Sequence, residues 1–359
     1  MTATTTKRVS HDPEGLNTGV WPVPPEDFLT PVDRFFTRSH AAVPHIDLSR
    51  WRLQVDGLVN QPRSFSLDEL VGAFPRRMST ATLVCAGLRR EEFLSLGPLP
   101  GELPWGPEPV STGAWAGIGL RDLLQAVGVA EEAGHVEFTG LDQIEREGQR
   151  FGFGGSIPIA KAMEDGVLLA THLHGGILPP VHGFPLRAMV SGWIGARSVK
   201  WLGRITLRRD PSPNYFQSQA YRIQREVSSL DHRDVSAGTA MTEVPVNAVI
   251  LQPSPGQLLK AGRIVARGWA MGSGGQPVTR VELSCNDGAD WVSAQIAVPG
   301  QAGTWSLWSV GVDLAPGSHT LVVRATDSAG TTQPSALEST WNVKGYGNNA
   351  WHRVAVAAE

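Results

Sequence analysis

Ala81-Thr82-Leu83-Val84-Cys85-Ala86-Gly87-Leu88-Arg89-Arg90 is an apolar, partly β-branched run that ends in a small Ala-Gly pair and two guanidinium groups. The run has the composition of a buried strand, and Ala86-Gly87 that of the turn closing it. Cys85 thus falls at a strand-to-turn junction. Arginines beside a thiol favour the thiolate, which binds metals or attacks electrophiles. Buried cysteines in general act as small inert hydrophobes. Arg89 and Arg90 weigh against that reading here and leave two alternatives open, a metal ligand or a reactive thiol.

Around this junction the pattern is strand-rich. The chain has 40 glycines and 26 prolines, a content that favours short strands and tight turns over long helices. Helical spacing of apolar residues occurs only in short pieces, over residues 66–74, 120–127 and 158–164. The first half therefore reads as mixed α+β. After about residue 235 the pattern becomes regularly spaced strands, such as 263–269, 278–284 and 321–325, separated by Gly-rich turns. Strands at this spacing without helices between them predict an immunoglobulin-like β-sandwich. The polar stretch 228–242 marks the expected boundary.

With 359 residues, 41% of them hydrophobic and 18% charged, the chain is long enough for two cores. A formal net charge of -3 gives no general attraction for nucleic acid. No stretch has the uninterrupted apolar length of a membrane helix. Two cysteines, Cys85 and Cys285, assigned to different domains, do not suggest a structural disulfide. The N-terminal residues are polar and Thr-rich without an apolar core, so the expectation is a cytoplasmic protein with a mobile leader over residues 1–26.

A second informative segment contains His182-Gly183-Phe184-Pro185-Leu186-Arg187 and Ser191-Gly192-Trp193-Ile194-Gly195-Ala196-Arg197-Ser198-Val199-Lys200-Trp201. Its glycines permit close backbone approach while a histidine and three cations converge. That combination suits a flat, anionic cofactor carrying a phosphate. His172-Leu173-His174 alternates histidines, but no carboxylate or thiolate follows at ligand spacing, which argues against a metal there. Trp105, Trp193 and Trp201 read as core anchors.

Taken together, Phe35-Phe36-Thr37-Arg38-Ser39-His40, Cys85-Ala86-Gly87-Leu88-Arg89-Arg90, Gly154-Gly155-Ser156-Ile157-Pro158, the 182–187 and 195–201 segments, and Asn349-Ala350-Trp351-His352-Arg353 resemble the sulfite oxidase family. The motifs keep that family's order from about Asp27 to the C-terminus. The resemblance implies an α+β fold in which a molybdopterin-binding catalytic domain, residues 27–235, precedes an immunoglobulin-like dimerisation domain, residues 236–359. It implies a molybdenum held by one pyranopterin dithiolene and by the Cys85 thiolate. Soft sulfur suits such a metal.

By the same match, Arg38 is the anion-recognising residue, and Ser39 and His40 lie near the metal and pterin. His182, Arg187, Arg197, Ser198 and Lys200 would hold the pterin and its phosphate, with Asp142 as a polar pocket residue. Trp115 sits where the family has a pocket-forming loop. The implied activity is two-electron oxygen-atom transfer, most simply sulfite to sulfate. A small oxyanion or oxide is the substrate, the assembly is a homodimer, and the electrons go to a separate acceptor: a cytochrome, a quinone-linked partner or oxygen.

Three positions depart from the family. Phe153 stands where a tyrosine is usual beside the molybdenum, Ser306 where a substrate-pocket arginine is expected, and Leu88 where asparagine is usual. An oxyanion that loses one cationic contact in a dry pocket loses on the order of 2 kcal/mol. The alternatives are therefore a molybdenum reductase of S-oxides, N-oxides or nitrate, or a non-catalytic dimeric relic.

Overall fold

The structure, a computed structural model, describes residues 7–21, 27–224 and 237–359. Three short helices fall where apolar spacing places them, at Leu67–Ala73, Leu120–Val127 and Ile159–Ala162; a fourth, Tyr215–Ser218, carries no such signal. Ser66 and Glu69 close a reciprocal capping box on the first, which satisfies two otherwise orphaned amides. The second buries Leu120, Leu123, Leu124 and Val127, one face of a 3.6-residue period, and ends at Gly128 with φ +70°. Each buried leucine contributes about 2 kcal/mol through apolar burial.

Two sheets organise the first half. One has five strands in the order Gly154–Pro158, His135–Gly140, Leu202–Arg208, Leu53–Gly57 and Arg63–Phe65. The other runs Gly176–Ile177, Val167–Leu173, Val110–Gly119 and Arg76–Val84, with Arg187–Val190 also paired to Val167–Leu173. A continuous core that includes Leu53, Phe138, Leu169 and Ile205 fills the space between the elements. The Arg76–Val84 strand stops at Cys85, as the sequence predicts.

The second half is a β-sandwich. Its four-stranded sheet runs Asn247–Gln252, Gly262–Met271, Ser306–Leu314, Gln295–Val298, and its five-stranded sheet runs Leu258–Leu259, His352–Ala358, Gly317–Asp327, Val278–Ser284, Val292–Ser293. Alternate residues of both sheets, among them Ala248, Val281, Trp308 and Val323, form the core between them. Gly268 is required by close approach: a Cβ there would lie 1.9 Å from the Val249 carbonyl oxygen.

The expectation of a mobile leader over residues 1–26 is corrected for residues 7–21. Lys7–Ser10 pairs with Thr18–Trp21, and this ribbon docks on the first domain instead of standing free. Thr18 and Thr37 exchange backbone hydrogen bonds of 3.1 and 2.8 Å, and His11 meets Glu108 at 2.6 Å. A two-stranded ribbon has no core of its own and gains one only by such docking. Residues 1–6 and 22–26, and the expected domain boundary at 235/236, lie outside the described residues.

The two halves are fastened through Arg89, held at φ +60° just past the cysteine turn. Its Nε and Nη2 donate to the two Glu92 carboxylate oxygens at 2.7 and 2.8 Å. Its Nη1 donates to Asn247 Oδ1 and to the Ala350 carbonyl, both at 2.8 Å. Asn348 returns donors to the Arg89 carbonyl and to Glu92. Arg89 is fully buried, so removing it strands these acceptors. Arg89→Ala is expected to destabilise the protein by about 3 kcal/mol, read as a lower urea midpoint; Arg89→Lys recovers little, because ammonium lacks the guanidinium fork.

Candidate active site

A cleft of about 720 Å³ opens beside the cysteine turn. Of the residues singled out from sequence, Arg38, Ser39, His40, Cys85, Asp142, Phe153, His182, Arg187, Ser198 and Lys200 line it. They arrive from separate parts of the chain. Cys85 follows its strand and is fixed by its amide on the Pro109 carbonyl (3.0 Å) and by Leu88 N–H on its own carbonyl (3.0 Å). Asp142 and Phe153 flank two paired strands and are joined where the Phe153 amide donates to Asp142 Oδ1 at 2.9 Å. His182 ends a 3₁₀ turn, Arg187 opens a strand, and Ser198 and Lys200 precede another. Gly183, at φ +111°, lets that turn pass Arg187 and Lys200; a Cβ would come within 3.1 Å of both.

Two predicted residues stand outside the lining. Trp115 is not on a loop but in the Val110–Gly119 strand, fully buried, its indole N–H donating to the Ala81 carbonyl at 3.3 Å. It meets the lining through the Arg187 guanidinium, 5.0 Å from its ring, and through Phe35, edge-on with centroids 5.6 Å apart. Arg197 lies behind the wall, its Nη1 and Nη2 donating to the Phe216 and Met241 carbonyls at 3.0 and 3.2 Å. Ser306 is also remote from the lining; it opens a buried sandwich strand and accepts from the Gly300 amide at 2.9 Å.

The charges around Cys85 differ from those its neighbours in sequence suggest. Arg89 turns away to Glu92, while Arg90 faces the Gly345 and Leu103 carbonyls and Glu102. Burial raises the thiol's pKa; of the influences that oppose this, Arg38 is the largest, followed by the Gly87 amide, 3.4 Å from Sγ, and then Arg90. The cysteine is therefore a protonated thiol that a metal would have to deprotonate on binding.

Arg187 and Arg197 are buried and Lys200 is half-buried, and among the described residues none of them makes an ion pair with a carboxylate. Lys200 donates to Ser39 Oγ at 2.7 Å and to the Val181 carbonyl at 3.1 Å; Arg187 donates to the His182 and Ser198 carbonyls at 2.9 and 3.0 Å. Desolvation lowers Arg187 to about 9, Arg197 to about 10, and Lys200 well below the ordinary lysine value. Among the described residues Arg197 Nε has no hydrogen-bond partner. Burial pushes Asp142 up, with the Phe153 amide and Lys200 acting against it, and among the described residues it makes no ion pair with the cations. Buried cations without counter-ions are strongly unfavourable, so this wall is complementary to a multiply charged anion. Trp201, between this wall and the next strand, holds the left-handed φ of +49° and stacks under Lys200 at 4.2 Å.

Sequence reasoning missed two contributors. Asn17 Oδ1 accepts from Arg38 Nη1 at 2.9 Å and from the Ser39 amide at 3.1 Å, which aims the arginine. Tyr221 lines the cleft and places its hydroxyl 2.9 Å from His40 Nε2. Neither carries a local signal; both become visible only when distant segments meet. His172 and His174 bind Thr171 and the Thr30 carbonyl, away from the cleft. Among the described residues no group of three or more His, Cys, Asp or Glu side chains gathers for a metal. A metal at Cys85 would thus need its other ligands from a bound group, which fits an anionic cofactor that carries its own sulfur donors.

This geometry agrees with what the chain is similar to. Residues 40–216 match the family model of the oxidoreductase molybdopterin binding domain, and residues 238–359 that of the Mo-co oxidoreductase dimerisation domain. The chain is 39% identical over 338 residues to sulfite oxidase of Gallus gallus, covering 91% of this chain and 73% of that protein. It is 37% identical to the mitochondrial sulfite oxidase of Homo sapiens and 36% identical to nitrate reductase [NAD(P)H] of Hordeum vulgare, covering 92% of this chain in each case but 62% and 39% of theirs. The chain therefore spans about three fifths of its mammalian relatives' length. The crystal structure of the sulfane dehydrogenase SoxCD from Paracoccus pantotrophus superposes with a TM-score of 0.80 at 27% identity, over 98% of this chain and 90% of that one. The fold and the cofactor wall define a molybdopterin-dependent oxidoreductase, whose cofactor is molybdenum with molybdopterin. Within that class the chain belongs to the sulfite oxidase family.

The buried histidines set an acid limit. His182 and His352 are lowered by burial to about 3, and His40 well below its ordinary value, so all three are neutral in the fold. Below pH 6.5 the unfolded chain takes up protons that the native state does not. Stability is then lost as pH falls from 6.5 toward 3, by up to about 1.4 kcal/mol per pH unit for each histidine. Denaturant unfolding across this range is expected to show that slope, and His352→Asn, whose amide oxygen replaces the Nδ1 acceptor for the Ile250 amide, should reduce it by about a third.

Proposed function

We propose that this chain catalyses two-electron oxygen-atom transfer at the Cys85 cleft, converting sulfite and water into sulfate, two protons and two electrons. The observation that supports the reading is one cleft wall carrying a soft sulfur ligand next to buried cations that lack counter-ions. Molybdenum held by molybdopterin supplies the redox chemistry when bound. Cys85 would be its protein ligand, and Arg187, Lys200, Ser198 and His182 would hold the anionic portion. Arg197 acts from behind, anchoring the Phe216 and Met241 backbone. Asp142 ties the Phe153 amide and fixes the cleft's edge.

Arg38 is the residue placed for the substrate anion. Its guanidinium is oriented by Asn17, the Ser39 carbonyl and His40 Nδ1, which leaves its charge directed at the cleft and costs no reorganisation when an oxyanion arrives. The cleft is lined mainly by apolar atoms, so that charge acts with less water screening than on an open surface.

A second reading, reduction of an S-oxide, an N-oxide or nitrate, is favoured by Phe153. Its ring stacks on His40 with centroids 5.3 Å apart and presents an apolar face to the cleft, where an organic oxide would pack. The match over residues 238–359 supports a homodimer formed by the second domain. In the oxidative direction electrons pass to a separate acceptor, a cytochrome, a quinone-linked partner or oxygen; in the reductive direction a separate electron donor supplies them. Among the described residues no helix is long and apolar enough to cross a membrane.

The reading is tested by metal analysis followed by sulfite-dependent ferricyanide reduction and, in parallel, oxidation of reduced viologen by S-oxides and nitrate. About one molybdenum per chain with sulfite turnover is expected. Turnover in the reductive assay alone would favour the second reading. Cys85→Ser should lose activity and most bound molybdenum; unchanged metal content and turnover would overturn the thiolate role.

A further inference from the structure

We propose that the junction between the two domains holds a second binding site, for a small neutral molecule with an apolar body and one hydrogen-bond acceptor, received by the indole N–H of Trp269. This site is separate from the oxygen-transfer cleft and does not depend on what that cleft catalyses. Its origin is strand alternation. Along Gly262–Met271, Ala266 and Ala270 point into the sandwich core, so Trp269 and Met271 point out of it. Val249 and Leu251 of the neighbouring strand share that outer face. The cysteine turn covers it with Val84, Ala86 and Leu88, but the two surfaces do not close on one another and leave a cavity of about 350 Å³. Leu88, standing where the resembled family has asparagine, adds an apolar side chain to this wall.

The polar groups of the wall define the ligand. Trp269 is fully buried and lines the cavity, yet among the described residues its Nε1 has no hydrogen-bond partner. A buried donor left without an acceptor is costly, so an occupant that supplies one is favoured. The two asparagines of the lining are already committed to the Arg89 network. Asn247 Oδ1 accepts from Arg89 and its Nδ2 donates to the Asn348 carbonyl at 2.8 Å, while Asn348 Nδ2 donates to the Arg89 carbonyl and to Glu92. The site therefore offers one donor on an apolar surface. Among the described residues no Lys, Arg, His, Asp or Glu lines it, and an ion would be desolvated there without a counter-charge. Met241 and Met271, both in the wall, are unbranched and adapt to the shape of an occupant. Cys85 and Ala86 line both this cavity and the cleft, so an occupant is separated from the cleft by the cysteine turn alone.

Acetone is the probe, a ketone with one acceptor and two methyl groups that is neither an oxyanion nor an S-oxide or N-oxide. The chain has six methionines and 12 tryptophans, so the full-length protein labelled at methionine methyls and indole nitrogens gives a readable NMR spectrum. Titration is expected to shift the Trp269 indole and the Met241 and Met271 methyls saturably, with a dissociation constant on the order of ten millimolar. Exposed Met78 and the indole of cleft-lining Trp201, which donates to the Pro180 carbonyl at 2.7 Å, should stay put. Trp269→Phe should keep the methyl response but weaken binding about fivefold, the effect of one neutral hydrogen bond. Shifts that do not saturate, a response at Trp201 in place of Trp269, or equal affinity in the variant would overturn the inference. Wild-type crystals soaked in acetone decide the matter even if Trp269→Phe does not fold: a carbonyl oxygen within hydrogen-bond reach of Trp269 Nε1 is expected, and a water alone in that place would sink the proposal.

Discussion

The placing of buried Arg187 and Arg197 beside half-buried Lys200, with no carboxylate ion pair among the described residues, is the constraint from which the site's organisation follows. Backbone carbonyls and the Ser39 hydroxyl satisfy most of their donors but none of their charge. Such a wall is stable only because the two sheets and the sandwich junction over-determine it, and it is completed by an anion. Burial depresses His40, and the charges of Arg38, Arg146 and Lys200 add to it. Arg38 tempers the cost of deprotonating the buried Cys85. Cofactor retention, substrate attraction and proton placement therefore share one electrostatic origin.

The second domain contributes more than an attached sandwich. Arg89 carries its hydrogen bonds from the cysteine turn to Asn247 and Ala350, and Trp305 donates from the sandwich to the Phe28 carbonyl at 2.9 Å. Rigid positioning of Cys85 is thereby coupled to the sandwich core. The N-terminal ribbon plays the corresponding part for Arg38 through Asn17 and Thr18. Both sides of the cleft are braced by segments far away in sequence.

The elements legible in the sequence were those with a strong local cause. Residues 66–74 and 120–127 announce helices by apolar period, and 278–284 a strand by alternation. Ten of the expected site residues line one cleft, and Cys85, Asp142, Phe153 and Arg187 do so from at or beside strand ends. Trp115 was placed on a loop by its Gly and Ala neighbours, yet small residues there serve close strand packing: a Cβ on Gly117 would lie 2.0 Å from the Leu169 carbonyl. Arg89 and Arg90 adjoin Cys85 in sequence but point elsewhere, since side chains leaving a turn diverge.

The sequence by itself determined the order of α+β and sandwich regions, the cysteine at a strand end and the cationic segment, because periodicity and residue chemistry are local properties. Only the tertiary structure decided which charges face the thiol, that Asn17 aims Arg38, that Ser306 stands apart from the cleft, and that Tyr221 meets His40. Those facts depend on the directions of side chains brought together across 181 positions in the case of His40 and Tyr221, and no local pattern encodes a direction in space.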